Sequence, residues 1–171
     1  MGCKIMTATV TFKGGPVTLA GTELKAGGQA PDFKLQDNAL QEVTLTKGKT
    51  TILATIPSLD TGVCSAETKK FNDLAKSLPN AEIFAVSMDL PFAQKRWCGA
   101  EGVTNVKTLS SHQCPKFGEE YGVLIQGGPL NRILTRAVFV IDGSGKLKHV
   151  EYVKEITEHP NYDAALAAAK S

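Results

Sequence analysis

Pro57-Ser58-Leu59-Asp60-Thr61-Gly62-Val63-Cys64 lies between a β-branched, apolar run at 50–56 and a helical pattern that begins near Val63. The run reads as a buried strand, so the passage from strand to helix across this stretch puts Cys64 in the first turn of a helix. The first backbone N–H groups of a helix have no intrahelical acceptor, and the macrodipole places partial positive charge there. A thiolate at that position is therefore favoured over a thiol. With Thr61 as the N-cap, Cys64 is the third helical residue, and a Thr61 hydroxyl bonded to the Cys64 backbone N–H lies beside its sulfur. The same residues also suit a purely structural part: Cys is among the most buried residue types, Thr is a common N-cap, and Pro57 can simply end the strand. Spacing alone leaves both readings open.

Downstream, Phe71, Leu74, Ala75 and Leu78 recur at helical spacing, with Lys69, Lys70, Asn72, Asp73 and Lys76 on the other face. Residues 81–88 read as a second strand, and Asp89 followed by Pro91 starts a helix over 92–100. A short strand at 106–109 and a short helix at 115–121 follow, the latter ending near Gly122. Residues 126–129 read as loop, 136–141 and 147–153 as strands about a turn at 142–145, and 161–170 as an Ala-rich helix. Upstream, 7–13 and 16–20 read as a hairpin about Gly14-Gly15, and 32–35 and 42–45 as short strands. This order predicts an α/β, thioredoxin-like fold: a central mixed β-sheet flanked by helices, with an added N-terminal β-hairpin. Residues 7–171 are expected to form a single domain, and 1–6 a flexible N-terminal extension.

With 171 residues, 42% hydrophobic and 21% charged, the chain is long enough for one core without disulfide staples. A net charge of +2 with both signs interspersed offers no basic stripe, which argues against a nucleic-acid partner. No window has the apolar length of a membrane span, and the first six residues lack the hydrophobic region of a signal peptide, so a cytoplasmic location is expected. The four cysteines, Cys3, Cys64, Cys98 and Cys114, contain no Cys-x-x-Cys, which speaks against a zinc ribbon and a thioredoxin-type dithiol. His112, His149 and His159 show no paired-ligand spacing, so no metal is expected. Gly127 and Gly128 match neither phosphate-binding pattern.

Pro-x-x-x-Thr-x-x-Cys is the active-site signature of peroxiredoxins, and Pro57, Thr61 and Cys64 fill its fixed positions. From about Thr9 the chain resembles the bacterial thiol peroxidase subfamily, the atypical two-cysteine peroxiredoxins. The resemblance is carried by Phe12-Lys13-Gly14-Gly15-Pro16-Val17, by Asp89-Leu90-Pro91-Phe92-Ala93-Gln94 with Cys98-Gly99-Ala100-Glu101-Gly102, and by Arg136-Ala137-Val138-Phe139-Val140-Ile141-Asp142. It implies a thiol-dependent peroxidase reducing hydrogen peroxide and alkyl or lipid hydroperoxides, without a cofactor. Cys64 is then the peroxidatic residue and Cys98 the resolving one, joined in an intrachain disulfide that thioredoxin reduces. Thr61 orients the peroxide, Arg136 stabilises thiolate and leaving oxygen, and Pro57 shields the sulfur. A homodimer is also implied. Cys98 must then leave its helix to meet Cys64, and Gly99 and Gly102 are expected to weaken that helix end. The alternatives are a non-enzymatic peroxide sensor and a thioredoxin-like protein dithiol oxidoreductase.

Overall fold

Alternation along the strands decides which side chains meet on each side of the sheet, because successive residues of a strand point to opposite faces. The computed structural model describes residues 7–171; the expected extension 1–6, with Cys3, lies outside the described residues. In chain order the elements are β1 (Val10–Phe12), β2 (Gly15–Ala20), β3 (Leu35–Gln36), β4 (Glu42–Val43), β5 (Thr50–Thr55), α1 (Gly62–Leu74), β6 (Ala81–Ser87), α2 (Pro91–Glu101), β7 (Lys107–Ser110), α3 (Pro115–Glu120), β8 (Leu124–Gln126), β9 (Ala137–Ile141), β10 (Leu147–Tyr152) and α4 (Tyr162–Lys170).

Seven strands form the main sheet in the order β10-β9-β5-β6-β7-β3-β4. β5, β6 and β7 run parallel through α1 and α2, whereas β9 and β10 add antiparallel beyond β5. Leu53, Phe84, Val86, Leu109 and Phe139 face Phe117 of α3. Their neighbours Ile52, Ala54, Ile83, Ala85, Val138 and Val140 face Phe71 of α1, Trp97 of α2 and Ala165 of α4. Central strands buried on both faces explain why 52–54 and 137–141 carry consecutive apolar residues rather than alternating ones. The expected thioredoxin-like sheet with flanking helices is thus present, and β1 and β2 form the added hairpin.

Three local readings change. The hairpin turns at Lys13 and Gly14, with φ of 50° and 79°, rather than at Gly14-Gly15; Gly15 already pairs with Phe12. A two-residue turn of this kind needs positive φ at both central positions. Strand β8 was not foreseen, because three residues are too few to show a period; Gln126, read as loop, is its last residue, and it pairs with β2 to give a second sheet, β1-β2-β8. The first short strand begins at Leu35, the last residue of the range expected for it.

The small sheet is tied to the body through residues 154–156. The Thr11 N–H donates to the Lys154 carbonyl at 2.7 Å, and the Ile156 N–H donates to the Thr11 carbonyl at 2.9 Å. Between them the Glu155 carboxylate accepts from Thr11 Oγ1 (2.7 Å), the Lys13 N–H (3.0 Å), the Gly14 N–H (3.1 Å) and Thr157 Oγ1 (2.8 Å). These donors, Thr11 first, favour the ionised carboxylate and hold it down to about 2, below its ordinary 4.5. A depressed carboxyl stabilises the docked hairpin above the unfolded value and loses that contribution as pH falls through the folded one. We therefore expect the Lys13 and Gly14 amide resonances to stay constant from neutral pH down to about 4.5 and to move toward unstructured positions as pH approaches about 2. In Glu155→Gln they should already be displaced at neutral pH and show no such titration; a wild-type pattern in that variant would dismiss the carboxylate as the hairpin's anchor.

Candidate active site

The helix α1 begins where sequence spacing put it, and its first turn carries a buried thiol. Thr61 is the N-cap, with extended φ and ψ of −98° and 147°. The first intrahelical bond runs from the Ser65 N–H to the Thr61 carbonyl at 2.9 Å, so the N–H groups of Gly62, Val63 and Cys64 are the orphan donors of the helix. Cys64 is fully buried, Pro57 is buried beside the strand end, and Thr61 is exposed. The Thr61 hydroxyl does not cap the helix: it donates to the Ser58 carbonyl at 3.1 Å, which leaves its lone pairs to accept.

Arg136 immediately precedes β9, and its side chain is the bulkiest of the fully enclosed ones, only 2% exposed. Each guanidinium nitrogen has one partner. Nε donates to the Ile156 carbonyl at 3.0 Å, Nη1 donates to Glu67 Oε2, and Nη2 donates to Cys64 Sγ at 3.3 Å. The Ile156 contact fixes the plane of the group, and the other two hold its charge between a carboxylate and a sulfur. Burial favours loss of the Arg136 proton, but the charges of Glu67 and Cys64 outweigh it and hold that proton more firmly than usual.

Glu67 was not singled out by the sequence reading. It lies three residues after Cys64 and belongs to the buried face Cys64, Glu67, Thr68, Phe71. An acidic residue at helical spacing from Cys64 and Phe71 is the available signal. Its Oε1 is buried without a hydrogen-bond donor among the described residues. Burial, opposed by Arg136, pushes the carboxyl from its ordinary 4.5 up to about 7.

A second carboxylate ties the stretch before Cys64 to the helix that carries Cys98. Asp89 accepts from Ser58 Oγ, the Leu59 N–H and Ser87 Oγ, each at 2.8 Å. Two residues later Pro91 opens α2, where Trp97 is buried and Cys98 is half-buried. Cys64, Cys98 and Cys114 are all free thiols. Cys114 is the N-cap of the six-residue α3 and packs against the opposite core, apart from the Arg136 cluster. Gly102 sits in the left-handed region at φ 65°, and its N–H and that of Val103 both reach the Cys98 carbonyl. This glycine closes α2 instead of weakening it, because only a residue without Cβ takes that conformation at no cost. Among the described residues no group of three or more His, Cys, Asp or Glu is placed to hold a metal, and no helix is long and apolar enough to cross a membrane.

The raised Glu67 carboxyl has a defined effect on stability. Its contribution is fully present below the unfolded value of 4.5 and is lost as pH rises through about 7. The interval between 4.5 and about 7 corresponds to at most about 3 kcal/mol. Urea midpoints should therefore fall from pH 5 to pH 8 in the wild-type protein and fall less in Glu67→Gln; equal slopes in the two proteins would rule out Glu67 as the titrating group.

A model of the redoxin family matches residues 25–166. The chain is 52% identical to a thiol peroxidase of Bacillus subtilis, over 96% of this chain and 98% of that protein. It is 50% identical to a thiol peroxidase of Halalkalibacterium halodurans over the same shares. Among solved structures, a peroxiredoxin-like protein from Aquifex aeolicus superposes with a TM-score of 0.92 at 46% identity, covering 97% of this chain and 98% of the other. With a buried thiol at a helix start under an arginine, and with these relatives over nearly its whole length, the chain belongs to the redoxin family and, within it, to the thiol peroxidases of the peroxiredoxin group.

Proposed function

We propose that Cys64 is the residue by which this thiol-dependent peroxidase reduces peroxide, that Cys98 resolves the product, and that Arg136, Thr61 and Pro57 complete the site. The observation that carries the reading is the 3.3 Å contact from Arg136 Nη2 to the buried Cys64 sulfur at the helix start. The Cys64 thiolate attacks the terminal oxygen of R–O–O–H; the S–O bond forms as the O–O bond breaks, and the departing RO⁻ takes up a proton. Negative charge grows on that oxygen beside two sets of donors, the guanidinium of Arg136 and the orphan N–H groups of the first turn. Thr61 at the mouth accepts from the peroxide O–H while its own proton is engaged by Ser58. Pro57 keeps water from the sulfur.

The Cys64 sulfenic acid is then attacked by Cys98, giving an intrachain disulfide and water before further oxidation becomes irreversible. An external dithiol, thioredoxin, returns both thiols by exchange. Hydrogen peroxide and alkyl or lipid hydroperoxides are the substrates. Residues 7–171 act as one domain in a cytoplasmic homodimer, for which Leu90 and Phe92, 50% and 68% exposed at the start of α2, supply an apolar contact.

In a coupled assay with thioredoxin and its reductase, Cys64→Ser should consume no peroxide, whereas Cys98→Ser should consume one equivalent and stop as a sulfenic acid. Sustained turnover by Cys98→Ser would remove Cys98 from the resolving role, and steady peroxide consumption by Cys64→Ser would remove Cys64 from the peroxidatic one. Thr61→Ser should be tolerated. Thr61→Val and Arg136→Lys should each lower the second-order rate about a hundredfold, because a transition-state donor or acceptor is lost and a point charge cannot reproduce the fork. Wild-type rates in both would contradict the proposed site.

A further inference from the structure

The Cys98 sulfur is enclosed by two side chains from outside its own helix. Thr108, on β7, donates its hydroxyl to Asn38 Oδ1 at 3.0 Å, which leaves its oxygen to accept from the Cys98 S–H at 3.4 Å. Asn38, in the loop between β3 and β4, returns a bond from its amide to the sulfur at 3.7 Å. The three groups thus form a closed ring in which each donates once and accepts once. A cavity of about 470 Å³ lies against the same thiol, lined in part by Asp37, Thr104 and Asn105, so close packing does not surround Cys98. Cys98 touches the apolar core cluster but opens on this cavity, so hydrogen bonds hold its thiol where packing is incomplete.

We propose that Asn38 and Thr108 are positioning residues that hold the Cys98 thiol in its resting place, and that release from their ring sets how fast Cys98 reaches Cys64. This rests on the reading of Cys98 as the resolving residue. In the step concerned, the Cys98 sulfur attacks the Cys64 sulfenic sulfur, and the S–S bond forms as the S–O bond breaks. The hydroxide leaves with the Cys98 proton as water. The sulfenic acid meanwhile is open to a second peroxide, which converts it to the sulfinic acid. A ring that delays Cys98 lengthens that exposure, so Asn38 and Thr108 tune how much peroxide the protein withstands before it is overoxidised. Neither residue hydrogen-bonds Cys64 or belongs to the core cluster that holds it, so the first oxidation should be independent of them.

The test uses the full chain, reduced and mixed with hydrogen peroxide, with samples alkylated at intervals and weighed by mass spectrometry. Thr108→Val and Asn38→Ala should oxidise Cys64 at the wild-type rate, form the disulfide about threefold faster for each hydrogen bond removed, and accumulate less sulfinic acid at excess peroxide. Thr108→Ser, which keeps the hydroxyl, should match the wild type in all three. Asn38 lies in a loop, so Asn38→Ala carries the test should the buried Thr108→Val fold poorly. Disulfide formation at the wild-type rate or slower in the folded variants overturns the ring's role while leaving Cys98 as the resolving thiol. Sustained turnover by Cys98→Ser overturns both readings together.

Discussion

A single buried guanidinium organises this site. Moving an isolated charge out of water is costly, and the cost is offset by an opposite charge and hydrogen-bond partners held in good geometry. Arg136 has a partner at each of its three nitrogens, drawn from two parts of the chain: Ile156 from the segment that docks the hairpin, and Glu67 and Cys64, one turn apart on α1. The backbone around it is held as firmly, since Thr55 Oγ1 donates to the Thr135 carbonyl at 2.8 Å and the Val153 N–H donates to the Arg136 carbonyl at 3.0 Å. Two acidic groups thus share one cation. The Glu67 carboxyl, pushed up to about 7 by burial against the opposing pull of Arg136, is the group of this cluster that gains or loses a proton near neutral pH.

The two segments expected to form the disulfide are mechanically linked before any chemistry. Asp89 holds Ser58 and Leu59 on one side and Ser87 on the other, and Ser110 Oγ donates to its carbonyl at 2.5 Å. Gln94 extends the link, donating to Ser87 Oγ at 3.1 Å and the Leu109 carbonyl at 2.9 Å. The start of α2 is therefore anchored to the loop before Cys64 and to the ends of β6 and β7. The later turns are tied mainly by exposed ion pairs, Arg96 with Asp60 and Lys69 with Glu101, which cost less to break than the buried hydrogen bonds at the helix start.

What was legible in the sequence was local. The strand-to-helix passage at 57–64 follows from a β-branched run, a proline and an N-cap threonine within a few residues, and the structure reproduces it with Thr61 at the N-cap. Arg136 became legible only through the resemblance of its strand to that of a known family. Glu67 had a local signal in its spacing from Cys64, but its partner is 69 positions away. The Ile156 carbonyl and the Asn38 side chain carry no signal of their own. Each acts through a contact made by the tertiary fold, in the latter case across 60 positions. The Thr61 hydroxyl shows the limit from the other side: its residue was placed, yet the bond it makes goes to Ser58, because loop geometry offered an acceptor that spacing does not reveal.

Cys98 is tied at both its backbone and its side chain, and the two ties differ in what they resist. Its carbonyl receives the Gly102 and Val103 N–H groups, a closure that keeps the last turn of α2 wound. Its sulfur is held by Asn38 and Thr108, a closure that keeps the side chain in place while the helix stays wound. Between them Gly99 contributes no packing, since a Cβ there would meet nothing within 4 Å. A glycine inside a helix costs about 1 kcal/mol relative to alanine, so this turn is poised lower in stability than its cap alone suggests. Unwinding it would break the carbonyl bonds and also draw on buried apolar surface, because Trp97, the large side chain of this turn, is packed in the core at the neighbouring position. The ring about the sulfur is a separate restraint, one that acts on the thiol itself.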